Sequence, residues 1–490
     1  MKTDRITRRE AVRAIAAGCA GIAVGRDSLA ARRQPGAADL VIRGGRIVNA
    51  DGIRIADLRI VGETITEIGD VRRAPGARVI DATDKLVLPG GIDPHTHLQP
   101  AFVDDLTSGS MAALAGGITT VGTFAGARQG ESILDALDRL STVVRTEAIA
   151  DVILHATSWP PTSELRAMLP MLVQRGQPSF KVYMTRADFG AHSAEFIRLL
   201  ESARDAGIIT LIHCEDGALL SAAARRLESA GRTTLSAYGE SRPVIAEVSA
   251  TNQAAALCES TGAPMYVVHL SSARALDACR RAREHKAPLY VETRPLYLHL
   301  TSERMRGPDA PLFVGQPPLR EREDAEALWH GLIDGSIDVL ATDHAPWTRA
   351  QKMDSTLTIT RLRPGVSNLQ VMLPMYFSEG VGKRGLSLER FVATTSTNAA
   401  KLFGLYPRKG VIRVGADADV VIWDPRKRDN VRAADDLSTS DYSVYEGWDV
   451  TGWPETTIRR GEIVFDQGKV TSAAGSGALV AREAWARSKG

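Results

Sequence analysis

The amino-acid sequence predicts an α/β protein: a TIM-type (β/α)8 barrel with a small accessory β-sandwich domain built from both chain ends. From residue 91 onward, short apolar segments alternate with helical stretches rich in Ala, Arg and Glu, a pattern typical of a parallel sheet. There are eight such strand–helix units, the number found in a TIM-type barrel. Segments rich in Val and Ile lie on both sides of this region and indicate hairpin-like strands.

The composition is that of a globular protein with a large domain and a smaller one. The chain has 490 residues, of which 44% are hydrophobic and 24% charged. No apolar run reaches the roughly 18 residues of a membrane-spanning helix, so no membrane span is expected. The basic excess lies in the first 36 residues, and the rest of the chain predicts no nucleic-acid partner.

Residues 1–36 are predicted to be a targeting segment. The basic pair Arg8-Arg9 in TRREAVR precedes a run of small, modestly apolar residues, Ala14–Gly25, and the arrangement resembles a twin-arginine export signal. It predicts a periplasmic protein. The alternative is an N-terminal extension with a chance arginine pair on a cytoplasmic protein. Four irregularly spaced cysteines imply no disulfide framework.

Strand-like segments at the two ends of the chain predict the β-sandwich. They begin with Asp39–Val48 and Arg54–Ile60, and they return beyond Ala399 in Asp417–Trp423 and Glu455–Phe465. We therefore expect residues 37–88 and 400–470 to pair into one domain. The tail, residues 471–490, is polar and rich in alanine, and no element is predicted there.

Residues 89–399 are predicted to form the barrel. A doubly wound open sheet is the alternative, but it would place a site at one switch point instead of drawing residues from many strands. The predicted strands are Ile92–Leu98, Thr119–Phe124, Val152–Ala156, Phe180–Met184, Ile209–His213, Tyr266–Leu270, Leu289–Thr293 and Asp338–Thr342.

Potential metal ligands lie at the ends of several of these strands. His95 and His97 are one residue apart, and alternate side chains of a strand share a face, so the two imidazoles can converge. Because parallel barrel strands all end at one face, residues at other strand ends should join them. Four histidines and an aspartate suit a borderline divalent metal such as Zn²⁺. The six residues are His95, His97, Lys181, His213, His269 and Asp343.

Lys181 needs a separate argument. An ammonium group with a pKa near 10.4 has no acceptor and would repel a metal. If the amine condenses with CO2 to a carbamate, it becomes an anionic ligand with two oxygens, able to bridge two ions. A lysine in an ordinary salt bridge is the alternative.

Six short motifs, HTHL, SFKVYM, HCED, VVHLSS, QPPLRE and ATDHAP, occur in the order and spacing of one known family. The chain resembles the amidohydrolase superfamily, in particular its cyclic amidase branch of hydantoinases, dihydropyrimidinases, allantoinases and dihydroorotases. The resemblance runs from about Ala38 to about Val470, and the stretch STNAAKLFGLYPRKG is most similar to the hydantoinase and dihydropyrimidinase section.

The resemblance implies a binuclear metal centre, most simply two Zn²⁺ ions. It implies that a hydroxide shared by the metals attacks a ring amide carbon, while Asp343 acts as general base and then as general acid. It assigns the ligands as follows: His95, His97 and Asp343 to the buried metal, His213 and His269 to the outer metal, and Lys181, as N6-carboxylysine formed with CO2, to both.

The sequence departs from the hydantoinase pattern at Arg186. Hydantoinases usually have a tyrosine five residues after the carbamylated lysine, where its hydroxyl helps to hold the oxyanion, and here that position is Arg186. A guanidinium can stabilise an oxyanion or bind a carboxylate. Arg186 is therefore predicted to replace the tyrosine or to select an acidic substituent, with a solvent-facing arginine as the alternative.

Three further departures concern the substrate. Gln316 replaces the serine common before a Pro-Pro pair, and Pro364 stands where an asparagine is usual; we expect both positions to meet the substrate through the backbone. Gln99 stands where dihydroorotases usually have an arginine, which disfavours that activity.

The sequence thus predicts a binuclear metal-dependent hydrolase that opens a small hydantoin-like or dihydropyrimidine-like ring. An allantoinase-like or dihydroorotase-like cyclic amidase is an alternative, as is hydrolysis of a linear amide or an ester. A catalytically silent scaffold related to dihydropyrimidinases is disfavoured, because such proteins lack the ligands that are present here. Relatives of this kind are commonly tetramers, so a homo-oligomer is expected.

Overall fold

A computed structural model describes residues 39–72 and 74–486. The predicted export signal therefore lies outside the described residues. Eight parallel strands, β8 to β15, form one sheet in sequence order. Their bounds are β8 Gly91–Thr96, β9 Ile118–Gly126, β10 Asp151–Thr157, β11 Ser179–Tyr183, β12 Ile209–His213, β13 Met265–Val267, β14 Leu289–Thr293 and β15 Val339–Leu340.

The sheet closes into a barrel where its first and last strands meet. Thr96 pairs with His344 in a parallel bridge, and the backbone N–H of His97 donates to the carbonyl of His344 across 2.8 Å. The predicted TIM-type barrel is therefore confirmed. The strands β13 and β15 end earlier than expected because the chain turns out of the ladder, with φ +38° at His269 and φ +48° at Asp343.

Apolar side chains fill the barrel interior and set the direction of the polar ones. Ile209 and Leu211 on β12 are buried in a cluster with Phe124 and Tyr266. Alternate residues of a strand share a face, so His213, two residues beyond Leu211, points to the same side at the end of the strand.

Helices surround the sheet. Ser132 caps its helix through a capping box with Asp135, and Gly207, at φ +71°, ends another helix in the left-handed conformation. The longer helices are Leu106–Ala115, Ile133–Glu147, Ser163–Gln174, Ser193–Ala206, Gly217–Ser229, Val244–Thr261, Ala273–Glu284 and Arg322–Asp334. Shorter helices are Tyr238–Ser241, Pro295–His299, Arg349–Lys352, Met372–Tyr376, Leu388–Val392 and Asn398–Leu402.

Both chain ends contribute to the accessory sheets, as predicted. One sheet has the order β5-β4-β1-β6 and the other β19-β18-β17-β16-β7-β2-β3. In the second, β7 from the N-terminal part pairs antiparallel with β16 from the C-terminal part, with Leu88 opposite Val421. The strands are β1 Asp39–Arg43, β2 Arg46–Asn49, β3 Gly52–Ile55, β4 Asp57–Val61, β5 Thr64–Gly69, β6 Arg78–Asp81, β7 Leu86–Pro89, β16 Val420–Asn430, β17 Asp449–Arg459, β18 Glu462–Asp466 and β19 Lys469–Val470.

The segment after β19, for which no element was predicted, runs across the amino ends of the barrel strands. The N–H of Val152 donates to the carbonyl of Ala478, and the N–H of Val480 donates to that of Val152, each across 2.8 Å. Arg482 is buried and donates to the carbonyl of Leu154. Among the described residues, no helix has both the length and the hydropathy needed to cross a bilayer.

Candidate active site

A pocket of about 120 Å³ opens at the carboxyl ends of the barrel strands. All six residues predicted as metal ligands line it, together with two of the predicted substrate contacts. The lining residues are His95, His97, Phe102, Lys181, Tyr183, His213, His269, Gln316, Asp343, Ala345, Pro364 and Gly365.

His95, His97 and Asp343 form a compact group of potential ligands. Oδ1 of Asp343 lies 3.2 Å from Nε2 of His95 and 3.1 Å from Nε2 of His97. One ligand atom from each residue lies within 4.8 Å of the others, so one cation could contact all three. Two imidazoles and a carboxylate are the donors that zinc prefers.

His213 and His269 form a second group beside the first. Their ring centroids are 4.4 Å apart, and that of His269 lies 5.4 Å from that of His95. Nε2 of His213 lies 2.8 Å from Oε2 of Glu215, which leaves Nδ1 for a metal. Nδ1 of His269 has no hydrogen-bond partner in the described chain, although it is buried. Arg242 in turn holds the Glu215 carboxylate.

Two of these residues have unusual backbone conformations. His269, at φ +38°, and Asp343, at φ +48°, lie in the left-handed region that non-glycine residues seldom adopt. Such conformations concentrate at functional sites, because surrounding interactions must hold them in place. The turns carry both side chains from the strand ends into the pocket.

A buried carboxylate that sequence reasoning missed orients a histidine of each group. Oε1 of Glu292 lies 2.7 Å from Nδ1 of His95 and accepts from the backbone N–H of His269 across 2.8 Å. Burial raises the pKa of Glu292 to about 8. Glu292 is the penultimate residue of β14, and an acidic residue in a buried strand was the available signal.

Lys181 projects into the pocket from β11 without a partner. Its side chain is buried, and Nζ has no hydrogen-bond acceptor and no carboxylate within ion-pair distance among the described residues. Nζ lies 5.2 Å from the ring centroids of Phe124 and Tyr183. Burial lowers the pKa of Lys181 to about 8, although the charges of Glu292 and Asp343 oppose the shift. The alternative of a salt-bridged lysine therefore does not describe this structure.

The three predicted substrate contacts differ in position. Gln316 and Pro364 line the pocket. Arg186 does not: its Nε donates to Oδ1 of Asp188 across 3.1 Å, its guanidinium lies over Trp159, and 47% of its side chain is exposed. Five residues beyond Lys181 the chain has left β11, so its side chains no longer follow the strand alternation. Tyr183, two residues after the lysine, is a pocket residue that sequence reasoning missed.

The pocket also has a buried cation behind it. Arg294, which was not predicted, donates from Nη1 to Oδ2 of Asp343. Burial alone would raise the pKa of Asp343, but the charges of His95 and Arg294 lower it below its usual range. The carboxylate is therefore held in its ionised form, the form that binds a metal.

Histidines, a lysine and an aspartate gathered at the carboxyl end of a TIM-type barrel define the class of barrel hydrolases built around a metal centre. Comparison with known sequences assigns this chain more narrowly. The profile of the amidohydrolase family matches residues 86–464, and the chain belongs to that family, in its hydantoinase-like branch. The resemblance seen in the sequence motifs is thereby confirmed.

Several relatives are similar over nearly their full length. The D-hydantoinase of Geobacillus stearothermophilus is 35% identical over 452 residues, which cover 90% of this chain and 96% of that protein. The D-phenylhydantoinase of Escherichia coli O1:K1 / APEC is 34% identical over 453 residues, which cover 91% of this chain and 98% of that protein. The solved structure of D-hydantoinase from Bacillus sp. AR9 superposes with a TM-score of 0.89 at 34% identity, covering 91% of this chain and 100% of that one.

Proposed function

We propose that this protein hydrolyses a cyclic amide of the hydantoin or dihydropyrimidine class. Water adds to a ring carbonyl carbon, the ring C–N bond breaks, and the ring opens to a ureido acid that carries a new carboxylate and an N–H. The observation that carries the proposal is the convergence of His95, His97, Lys181, His213, His269 and Asp343 on one pocket, in a chain similar to D-hydantoinases.

The residues fit two divalent cations. His95, His97 and Asp343 would hold one, and His213 with His269 would hold the other. Two such ions would polarise the scissile carbonyl and lower the pKa of a water molecule toward neutrality. The unpartnered, buried Nδ1 of His269 supports this reading, because a buried polar atom needs a hydrogen-bond or metal partner.

Lys181 is proposed to bridge the two ions as a carbamate. Its amine nitrogen would form a bond to the carbon of CO2 and lose a proton, leaving an N-carboxylate with two oxygens. The burial of Nζ, its lack of a partner and its place in the same pocket as both ligand groups support the assignment. Protein incubated with ¹³C-labelled bicarbonate should show a carbamate carbon resonance that Lys181→Met lacks. Identical spectra would contradict the assignment.

The remaining steps fall to side chains of the pocket. Asp343 would accept a proton from the attacking water and pass it to the leaving ring nitrogen. Backbone groups at Gln316 and Pro364 would orient the ring amide. Tyr183 lines the pocket, and we assign its hydroxyl, rather than Arg186, as the donor to the developing oxyanion.

A substrate comparison tests the proposal. Metal-loaded protein should open dihydrouracil or 5-substituted hydantoins, and each turnover should produce one carboxylate without free ammonia. Allantoin, dihydroorotate and cyclic imides should be slower, and open-chain amides and esters should not react. Turnover of the open-chain compounds alone would assign a different hydrolysis to the same centre.

Zinc as the native metal, a homo-oligomer and export are further parts of the proposal, and they rest on the resemblance and the N-terminal sequence alone. Metal analysis of the purified protein tests the first, and light scattering tests the second. Cell fractionation of the wild type and of a variant with Arg8 and Arg9 both changed to Lys tests the third, because a twin-arginine signal should fail in that variant.

A further inference from the structure

Arg294 places a permanent cation against Asp343. The residue follows the last position of β14, and its side chain is fully buried, with 0% exposure. Nη1 donates to Oδ2 of Asp343 in an ion pair that joins residues 49 positions apart in the sequence. The pair lies directly behind the pocket, because Asp343 is itself one of the lining residues.

The two oxygens of Asp343 have different partners. Oδ1 faces the histidine pair, 3.2 Å from Nε2 of His95 and 3.1 Å from Nε2 of His97. Oδ2 accepts from Arg294 through one lone pair, which leaves its second lone pair for the proton transfer proposed above. The guanidinium thus fixes which oxygen is presented to the proposed metal.

The space around the guanidinium is shaped for this one contact. The group lies over the ring of Tyr297, 4.4 Å from its centroid, and a Cβ at Gly315 would lie only 2.2 Å from Nη2. Nε and Nη2 have no hydrogen-bond partner among the described residues. Burying a charge with donors unpaired is costly, so the packing of Arg294 is poorly explained by stability alone.

We propose that Arg294 is a positioning residue that keeps Asp343 a one-oxygen ligand. By holding Oδ2, it leaves only Oδ1 for the cation at His95 and His97; without it, the carboxylate could rotate and offer both oxygens. The inference rests on the proposed function, since it assumes that Asp343 binds a metal. The interaction is specific to a guanidinium, whose fixed fork orients a carboxylate better than a lysine ammonium does.

The test compares Arg294→Met and Arg294→Lys in protein whose metal is replaced by cobalt(II). Both variants should bind as many cobalt ions per chain as the wild type. Arg294→Met should change the visible absorption of the bound cobalt, because the coordination number of one ion changes. Its kcat should fall about 10- to 100-fold, the usual cost of losing a group that orients a metal ligand, with KM changed less than about threefold. Arg294→Lys should recover part of the kcat.

Two further variants keep the test decisive. Arg459→Met removes another buried guanidinium, which donates to the carbonyl of Ile149 at the opposite end of the barrel, and it should leave the cobalt spectrum and kcat as in the wild type. Gly315→Ala should displace the guanidinium and reproduce the spectral change of Arg294→Met, even if the methionine variant does not fold.

A wild-type cobalt spectrum in both Arg294→Met and Gly315→Ala would overturn the inference, and so would a loss of activity confined to KM. Wild-type protein that binds no cobalt would instead contradict the proposed metal centre itself. The two failures are therefore distinguishable.

Discussion

Glu292 and His95 form a fully buried pair, with Oε1 of the carboxylate 2.7 Å from Nδ1 of the imidazole. Nε2 of the same ring faces Asp343, so the ring presents one nitrogen to the proposed metal and the other to Glu292. A carboxylate behind a metal-binding histidine fixes the tautomer and the ring orientation and increases the basicity of the ligand. Because Oε1 also accepts from the backbone of His269, one carboxylate supports both ligand groups.

Glu292→Gln should weaken metal binding. The amide keeps the shape of the side chain but cannot become an anion when a cation binds beside it, so zinc affinity should fall about 10- to 100-fold, measured by competition with a chelator. Glu259→Gln is the matched control, because Glu259 pairs with His285 across 3.1 Å on the protein surface. Equal affinities for the Glu292 variant and the wild type would show that this carboxylate does not tune the site.

Substitutions at Tyr183 and at Arg186 should have very different effects on enzymatic activity. Tyr183→Phe deletes the hydroxyl of a residue that lines the pocket, and kcat on an uncharged ring should fall about 10²-fold, as for other oxyanion donors. Arg186→Ala removes the ion pair with Asp188 and the contact with Trp159, neither of which lines the pocket, so kcat/KM on dihydrouracil should change less than about twofold. The reverse ranking would restore the role that the sequence predicted for Arg186.

Lys352 should control substrate binding through the pocket walls. Its buried Nζ donates to the carbonyls of Val314, Arg363 and Gly365 at 2.8, 2.9 and 3.0 Å, and these residues flank or line the pocket. Lys352→Met should raise KM about tenfold with a smaller effect on kcat, because the two loops lose their common anchor. Lys383→Met, at an exposed lysine, is the control. An unchanged KM in a folded variant would contradict this reading.

Lys409 should link stability to pH. Its ammonium is buried and lies 2.7 Å from Oδ2 of Asp151 and 2.6 Å from Oδ2 of Asp419. Burial alone would lower the pKa of Lys409 and raise that of Asp151, but their mutual attraction reverses both shifts. The contribution of the raised lysine is complete below its unfolded pKa near 10.4, and that of the lowered aspartate is complete above about pH 4.

Lys409→Met should therefore lower the free energy of unfolding by about 3–5 kcal/mol at pH 7, the cost of breaking a buried ion pair by removing one partner. The difference from the wild type should be constant between about pH 5 and 9 and should shrink as the pH falls below about 4, where the carboxylates of the wild type become protonated. Urea unfolding at a series of pH values measures it. Lys469→Met, at an exposed lysine, should show no comparable loss. A difference that grew on acidification would refute the sign of this linkage.

Residues whose positions follow from the alternation of side chains along a strand were predictable from the sequence. His213 ends β12 in the inward alternation set by Ile209 and Leu211, so its position followed once the strand was recognised. The barrel and the mixed origin of the sandwich followed in the same way, because they depend on patterns repeated over many residues. The six candidate ligands lie on the barrel strands or just beyond their ends, although left-handed turns set the final direction of the His269 and Asp343 side chains.

Residues whose position depends on a turn or a distant contact were not predictable. Arg186 lies beyond the end of β11, where a turn rather than the strand decides the direction of the side chain. Arg294 meets Asp343 across 49 residues, and nothing in the local sequence of either indicates the contact. The segment around Ala478 has weak strand character of its own and is ordered by hydrogen bonds to Val152 at the end of the barrel.

The central claim is that this pocket opens a cyclic amide with bound metal. The most direct measurement is the ring opening of dihydrouracil and a 5-substituted hydantoin by one preparation before chelation, after removal of its metal, and after zinc and bicarbonate are restored. The account predicts activity in the first state, its loss in the second and its return in the third with about two ions per chain. Ring opening that persists at full rate without metal, or a reloaded protein that opens neither ring, would contradict it.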